Sequence, residues 1–117
     1  MKYLCLIYED REFGKTLPKA DIEKAKQDYK AFTDNLKQNG QYITGNMLDT
    51  QATKTVRASN GTPLAKDGPV VQTKDQLGGY YIIEAYDLNE AVKIAGRIPS
   101  AKWGAVEVRP VAEMHAA

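Results

Sequence analysis

Asp67 stands directly before Gly68 and Pro69, so its backbone is held in a turn and its carboxylate is nearly fixed in space. A fixed carboxylate suits a general base or an acceptor for a ligand hydroxyl. The same three residues also make an ordinary turn, in which the carboxylate caps its own backbone. Tyr8 and Tyr80 sit at the ends of apolar runs, where phenols either line a pocket mouth or bury their hydroxyls against backbone carbonyls. Arg57 and Lys74 are available to steer an anionic group, or are simply solvated surface. Gly78-Gly79 lets a ligand approach the backbone closely, or marks a bulge. Glu84 interrupts an apolar run and needs a lysine, Arg109 or a polar cavity for company.

Much chemistry is excluded. No nucleophile elbow, phosphate-cradling glycine loop or metal-ligand spacing occurs in the chain. The single histidine, His115, lies in the C-terminal tail, which argues against Ser-His-Asp, Cys-His and histidine–zinc sites. Acid–base work therefore falls to carboxylates, tyrosines and lysines; no cofactor and no metal are expected. Sixteen basic residues against fifteen acidic ones give a formal net charge of +1, without the basic face of a direct nucleic-acid binder. The lone Cys5 lies in an apolar run and reads as inert core, consistent with a reduced, cytoplasmic protein. The opening run ends at Glu9-Asp10-Arg11 and is too short for a signal peptide, and no window is long enough to cross a bilayer.

The elements that must position these residues follow from periodicity. Lys2 to Tyr8 is continuously apolar, a strand buried on both sides. Glu9 to Lys19 reads as a polar loop. Ile22, Ala25, Tyr29, Phe32 and Leu36 then form a helical stripe closed by Asn39-Gly40. Tyr42 to Leu48 is a weaker strand. Thr53–Ser59 and Thr62–Ala65 flank Asn60-Gly61, a strong hairpin signal, with Pro63 placing the second arm on an edge. Lys66 to Gln76 is a loop, and Gly78-Gly79 opens the apolar strand Tyr80–Ala85. Asp87 to Glu90 spells a capping box before a helix using Leu88, Ala91, Val92, Ala95 and Ile98, stopped by Pro99. Ala105–Arg109 alternates as a last strand. The order is that of a single α+β domain over residues 1–117: a ferredoxin-like βαββαβ sheet with an inserted β-hairpin and two helices on one face. The two greasiest strands fall at its centre. Their uncovered face needs either a second copy or the 49–78 segment, and the two-fold homodimer is the expectation.

The segments Ala52–Arg57, Asp67-Gly68-Pro69-Val70, Thr73–Tyr81 and Val106–Val111, together with Met1–Tyr8 and Ala101–Gly104, resemble the DGPF group of YCII-related proteins over nearly the whole chain. The resemblance implies a dimeric α+β barrel and an active site at the aspartate in the position of Asp67. Some relatives pair that aspartate with a histidine at the start of the first helix. Here Pro18 to Asp21 holds none, so no histidine–aspartate dyad forms, and Val70 replaces the motif's phenylalanine. Two functions follow as expectations. One is a homodimeric acid/base enzyme (lyase, isomerase or hydrolase type) acting on a small polar metabolite, with one pocket per subunit. Asp67 would be its base or anchoring acceptor, with Tyr8, Arg57, Gly68, Pro69, Lys74 and Tyr80 around the substrate. The other is a non-catalytic binding or regulatory module associated with transcription regulators.

Overall fold

The computed structural model describes residues 1–49 and 51–113; His115 lies outside the described residues. Strand β1 (Lys2–Asp10) leads into a short helix α1 (Arg11–Thr16) and a long helix α2 (Lys19–Gln38). Strand β2 (Tyr42–Met47), the hairpin strands β3 (Lys54–Ser59) and β4 (Thr62–Asp67), and the long strand β5 (Asp75–Glu84) follow. Helix α3 (Leu88–Gly96), a 3₁₀ turn (Pro99–Lys102) and strand β6 (Ala105–Pro110) complete the chain. The main sheet has the order β2-β5-β1-β6, and every pair in it is antiparallel. That is the ferredoxin-like arrangement, with β1 and β5 at the centre.

Alternation along the central strands sets the two faces. Tyr3, Cys5 and Ile7 of β1 and Tyr81 and Ile83 of β5 are buried beneath the helices, against Phe32 and Leu36 of α2 and Ala91, Ile94 and Ala95 of α3. Phe32 meets Tyr81 edge to face, with ring centroids 5.3 Å apart. Leu4, Leu6, Tyr8, Tyr80 and Ile82 face the other way and are only half-buried.

Several boundaries differ from the sequence reading. The polar stretch after Tyr8 is not all loop: β1 continues to Asp10, whose carboxylate accepts the Glu12 N–H at 2.9 Å and starts α1. Strand β5 begins five residues earlier than its apolar run, because Asp75 to Gly79 pairs with β1 although Leu77 is its one large apolar residue. In α3 the buried stripe is Ala91, Ile94 and Ala95, whereas Leu88 and Val92 face solvent. Asp87 caps α3 as expected, accepting the Glu90 N–H at 2.8 Å, but the Glu90 carboxylate reaches back to the N–H of Tyr86.

The hairpin forms where Asn60-Gly61 predicts it, both residues having positive φ. It makes a separate two-stranded sheet. Every residue of β4 is exposed, and so is every residue of β3 except Thr55.

Candidate functional site

The structure divides the residues that the sequence singles out. Asp67, Gly68, Pro69 and Arg57 gather on the hairpin, around a shallow concavity of about 560 Å³. Gly68 takes φ +99°, its N–H donates to Thr53 O at 2.9 Å, and its carbonyl accepts from Thr55 Oγ1 at 2.8 Å. The turn is thus fixed by its backbone. The Asp67 carboxylate does not cap it, but takes an ion pair with Lys54, its neighbour across the ladder. Its side chain is 86% exposed, an environment in which such a pair adds little stability. Lys74 pairs with Asp10 at 3.5 Å. Tyr8 lies on the helix-free face of the sheet.

A second and better walled cleft, of about 470 Å³, opens beside α2 where β2 ends against β5. Tyr80 is among its lining residues, with Tyr29, Thr33, Tyr42, Tyr81 and Glu9. Strand alternation puts the Tyr80 ring on the face opposite Tyr81, where its hydroxyl accepts from Asn46 Nδ2 at 2.8 Å. Two glycines make the space. A Cβ on Gly45 would sit 2.7 Å from the Tyr81 ring, so the tyrosine packs flat on bare backbone. Gly78 falls where the β1–β5 register shifts, and a Cβ there would meet nothing within 4 Å.

Most of the polar groups of this cleft were not foreseen from the sequence. Tyr81 and Thr33 share a hydrogen bond of 2.7 Å between hydroxyls, and burial raises the Tyr81 phenol above its ordinary pKa, partly offset by that bond. Deeper in, Glu9, Ser100 and Tyr29 are linked in a chain of hydrogen bonds. Ser100 is fully buried, the single buried polar residue among those described. Its one hydroxyl proton goes to Glu9 Oε1, so the Tyr29 hydroxyl must donate to Ser100 Oγ. Burial pushes the Tyr29 phenol up to about 12, with the Glu9 charge adding to the rise and the Ser100 hydrogen bond opposing it. Tyr29 therefore stays a neutral donor at any ordinary pH. Glu9 read as the start of a loop and Tyr29 as part of the α2 stripe, and Ser100 drew no reading at all. The available signals were a tyrosine within an apolar stripe and a serine following Ile98-Pro99.

No lysine or arginine lines the cleft, although Lys37 Nζ sits 5.0 Å from the Tyr42 ring centroid. Among the described residues no cluster of three or more His, Cys, Asp or Glu could hold a metal ion. No described helix is long and apolar enough to cross a membrane.

Comparison with known proteins agrees with this architecture. The YCII-related domain matches residues 1–115, and the chain belongs to that family. An uncharacterised protein of Rhizobium meliloti (strain 1021) is 32% identical over 115 residues, covering 96% of this chain and 93% of its own. Among solved structures, 5-chloro-2-hydroxyhydroquinone dehydrochlorinase (TftG) of Burkholderia phenoliruptrix, in complex with 2,5-dihydroxybenzoquinone, aligns with a TM-score of 0.55 at 19% identity. The alignment covers 97% of this chain and 96% of that one. At that identity the likeness is one of fold.

Proposed function

We propose that the chain is a homodimeric small-molecule protein that carries out acid/base chemistry of lyase, isomerase or hydrolase type on a small polar metabolite, with one pocket per subunit. The cleft under α2 carries this reading, because it joins aromatic walls, hydroxyl groups and one carboxylate in a space the size of a small ligand. The dimer is supported by the half-exposed row Leu4, Leu6, Tyr8 and Ile82, and by the hairpin's Val56 and Leu64, 63% and 59% exposed.

In this reading Asp67, which does not line the cleft of its own subunit, is an anchoring acceptor that the hairpin of one subunit presents to the ligand held by the other. Gly68 and Pro69 hold it, and Arg57 beside it and Lys74 attract any anionic group of the ligand. Tyr8 and Tyr80 belong to the wall that a second copy would complete. TftG was solved with a small hydroxylated quinone, so the parent ring of its named substrate, 2-hydroxyhydroquinone, makes a reasonable first probe.

A screen of small metabolites by thermal shift, native protein against Asp67→Ala, tests the assignment. A ligand at a hundred times its Kd adds about 2.7 kcal/mol, which is easily seen. The expected hit raises the native melting point and leaves Asp67→Ala unmoved; equal shifts in both would remove Asp67 from the site. A second reading, a non-catalytic binding or regulatory module, is favoured by one observation: the exposed Asp67 is held by Lys54 rather than desolvated as a tuned base would be.

A further inference from the structure

Glu9 is the one carboxylate that lines the cleft among the described residues. It is partly buried at the end of β1, yet no lysine, arginine or histidine among the described residues pairs with it. No buried side-chain oxygen among the described residues lacks a hydrogen-bond partner, so the second carboxylate oxygen of Glu9 stays accessible. Here Oε1 is held by Ser100 while Oε2 has no hydrogen-bond partner among the described residues, and the residue lines the cleft. Three separated elements are needed to build this: strand β1, helix α2 and the 3₁₀ turn after α3. A close approach locks them, since a Cβ on Gly104 would sit 2.2 Å from Tyr8 O and 3.3 Å from Glu9 Cγ.

We propose that Glu9 is the acid/base residue of the cleft, that Ser100 and Tyr29 are its positioning residues, and that the ligand is an uncharged, planar, hydroxyl-bearing ring. The assignment rests on the cleft being the ligand site. The ligand class follows from the lining. Tyr29, Tyr42 and Tyr81 offer flat apolar faces, the Thr33–Tyr81 pair offers hydroxyls, and no cation lines the cleft to favour an anion. Because Tyr29 donates to Ser100 and Ser100 to Glu9, one lone pair of Oε1 is occupied, and Oε2, which accepts no hydrogen bond among the described residues, is the oxygen most open to a ligand.

The step is a proton shift with no change of oxidation state. Glu9 Oε2 takes the proton of a ring hydroxyl, so that O–H bond breaks and a carboxyl O–H forms. The freed electron pair moves into the ring, and a ring carbon takes a proton from water to give the keto tautomer. The hydroxide left behind is neutralised by the Glu9 proton, which restores the carboxylate. Reversal in deuterium oxide, with loss of the original ring hydrogen, leaves deuterium on carbon.

The test is exchange of the ring hydrogens of 2-hydroxyhydroquinone, kept anaerobic in deuterium oxide and followed by proton NMR, beside calorimetric binding of the same probe. Native protein is expected to bind the probe and accelerate exchange. Glu9→Gln keeps the shape and the Ser100 contact; it should bind within about threefold of native and lose about a hundredfold or more in exchange, the usual scale for a general acid/base. Ser100→Ala and Tyr29→Phe should lose about tenfold in exchange with smaller losses in binding, a split that a merely architectural role would not produce. Exchange by Glu9→Gln at the native rate, or binding by native protein without exchange, overturns the assignment while leaving the cleft as a ligand site. Unchanged binding in Gly78→Leu, which adds a side chain to the lining of the cleft, overturns the cleft itself and the Glu9 assignment with it.

Discussion

At the scale of single residues, charge and burial decide which groups are available for chemistry. Cys5 is wholly buried, and desolvation raises its thiol from 9.0 to about 11. It should not react with a thiol reagent at pH 8 in the folded protein and should react at once in denaturant; labelling of the native state would mean that β1 opens readily. The sign of the pH effect follows from the same rise. The neutral thiol is favoured by the fold, so its contribution is complete below pH 9 and is lost as pH climbs through about 11. The loss is on the order of 3 kcal/mol, measurable as alkaline loss of stability in urea titrations. The turn at Asp67 was legible in the sequence because Asp-Gly-Pro is a local motif. The Glu9–Ser100–Tyr29 chain was not, since its members lie 71 and 91 positions apart and only the folded topology joins them. A local pattern reveals a turn; it does not reveal a triad drawn from three elements.

At the scale of elements, periodicity carried most of the fold. The alternation of β1, the stripe of α2 and the Asn60-Gly61 turn each appear where the residue pattern puts them. The pattern misled where pairing outweighs composition. Asp75 to Gly79 is polar or glycine except at Leu77, and the length of β1 opposite explains why it is strand. In α3, Leu88 and Val92 are apolar yet exposed, and nothing among the described residues buries them. The loop into β6 depends on Gly104, where any side chain would collide with the Tyr8 carbonyl. Gly104→Ala is therefore expected to destabilise the fold by about 1–3 kcal/mol, the usual range for overpacking, and to shift the urea midpoint at constant slope. An unchanged midpoint would show that the loop relaxes freely and does not lock Glu9.

At the scale of the molecule, the chain is flat and spread out. Its radius of gyration is 16.4 Å and its extents are 48 × 45 × 18 Å, against about 13 Å expected for a compact domain of this length. A hairpin exposed on both faces is marginal by itself in water, and this one carries exposed Val56 and Leu64. Both features are accounted for if the working form is a dimer. Light scattering at micromolar concentration should give twice the chain mass of 13.0 kDa, and Leu6→Glu, on the helix-free face, should give the monomer. A native protein that scatters as a monomer would leave the open face and the hairpin without a purpose.

The cleft under α2 is the centre of the functional reading, and Gly78 offers the most direct handle on it. It lies in the lining of the cleft, and a Cβ added there meets no atom within 4 Å, so Gly78→Leu should fold as well as native while narrowing the space. Calorimetric titration of both proteins with 2-hydroxyhydroquinone is the decisive comparison. Binding by native protein and at least about tenfold weaker binding by Gly78→Leu, a difference of about 1.4 kcal/mol, at a melting point within a degree or two of native, is the expected outcome. Equal affinity in the two proteins would place the ligand elsewhere and undo the cleft as the functional site.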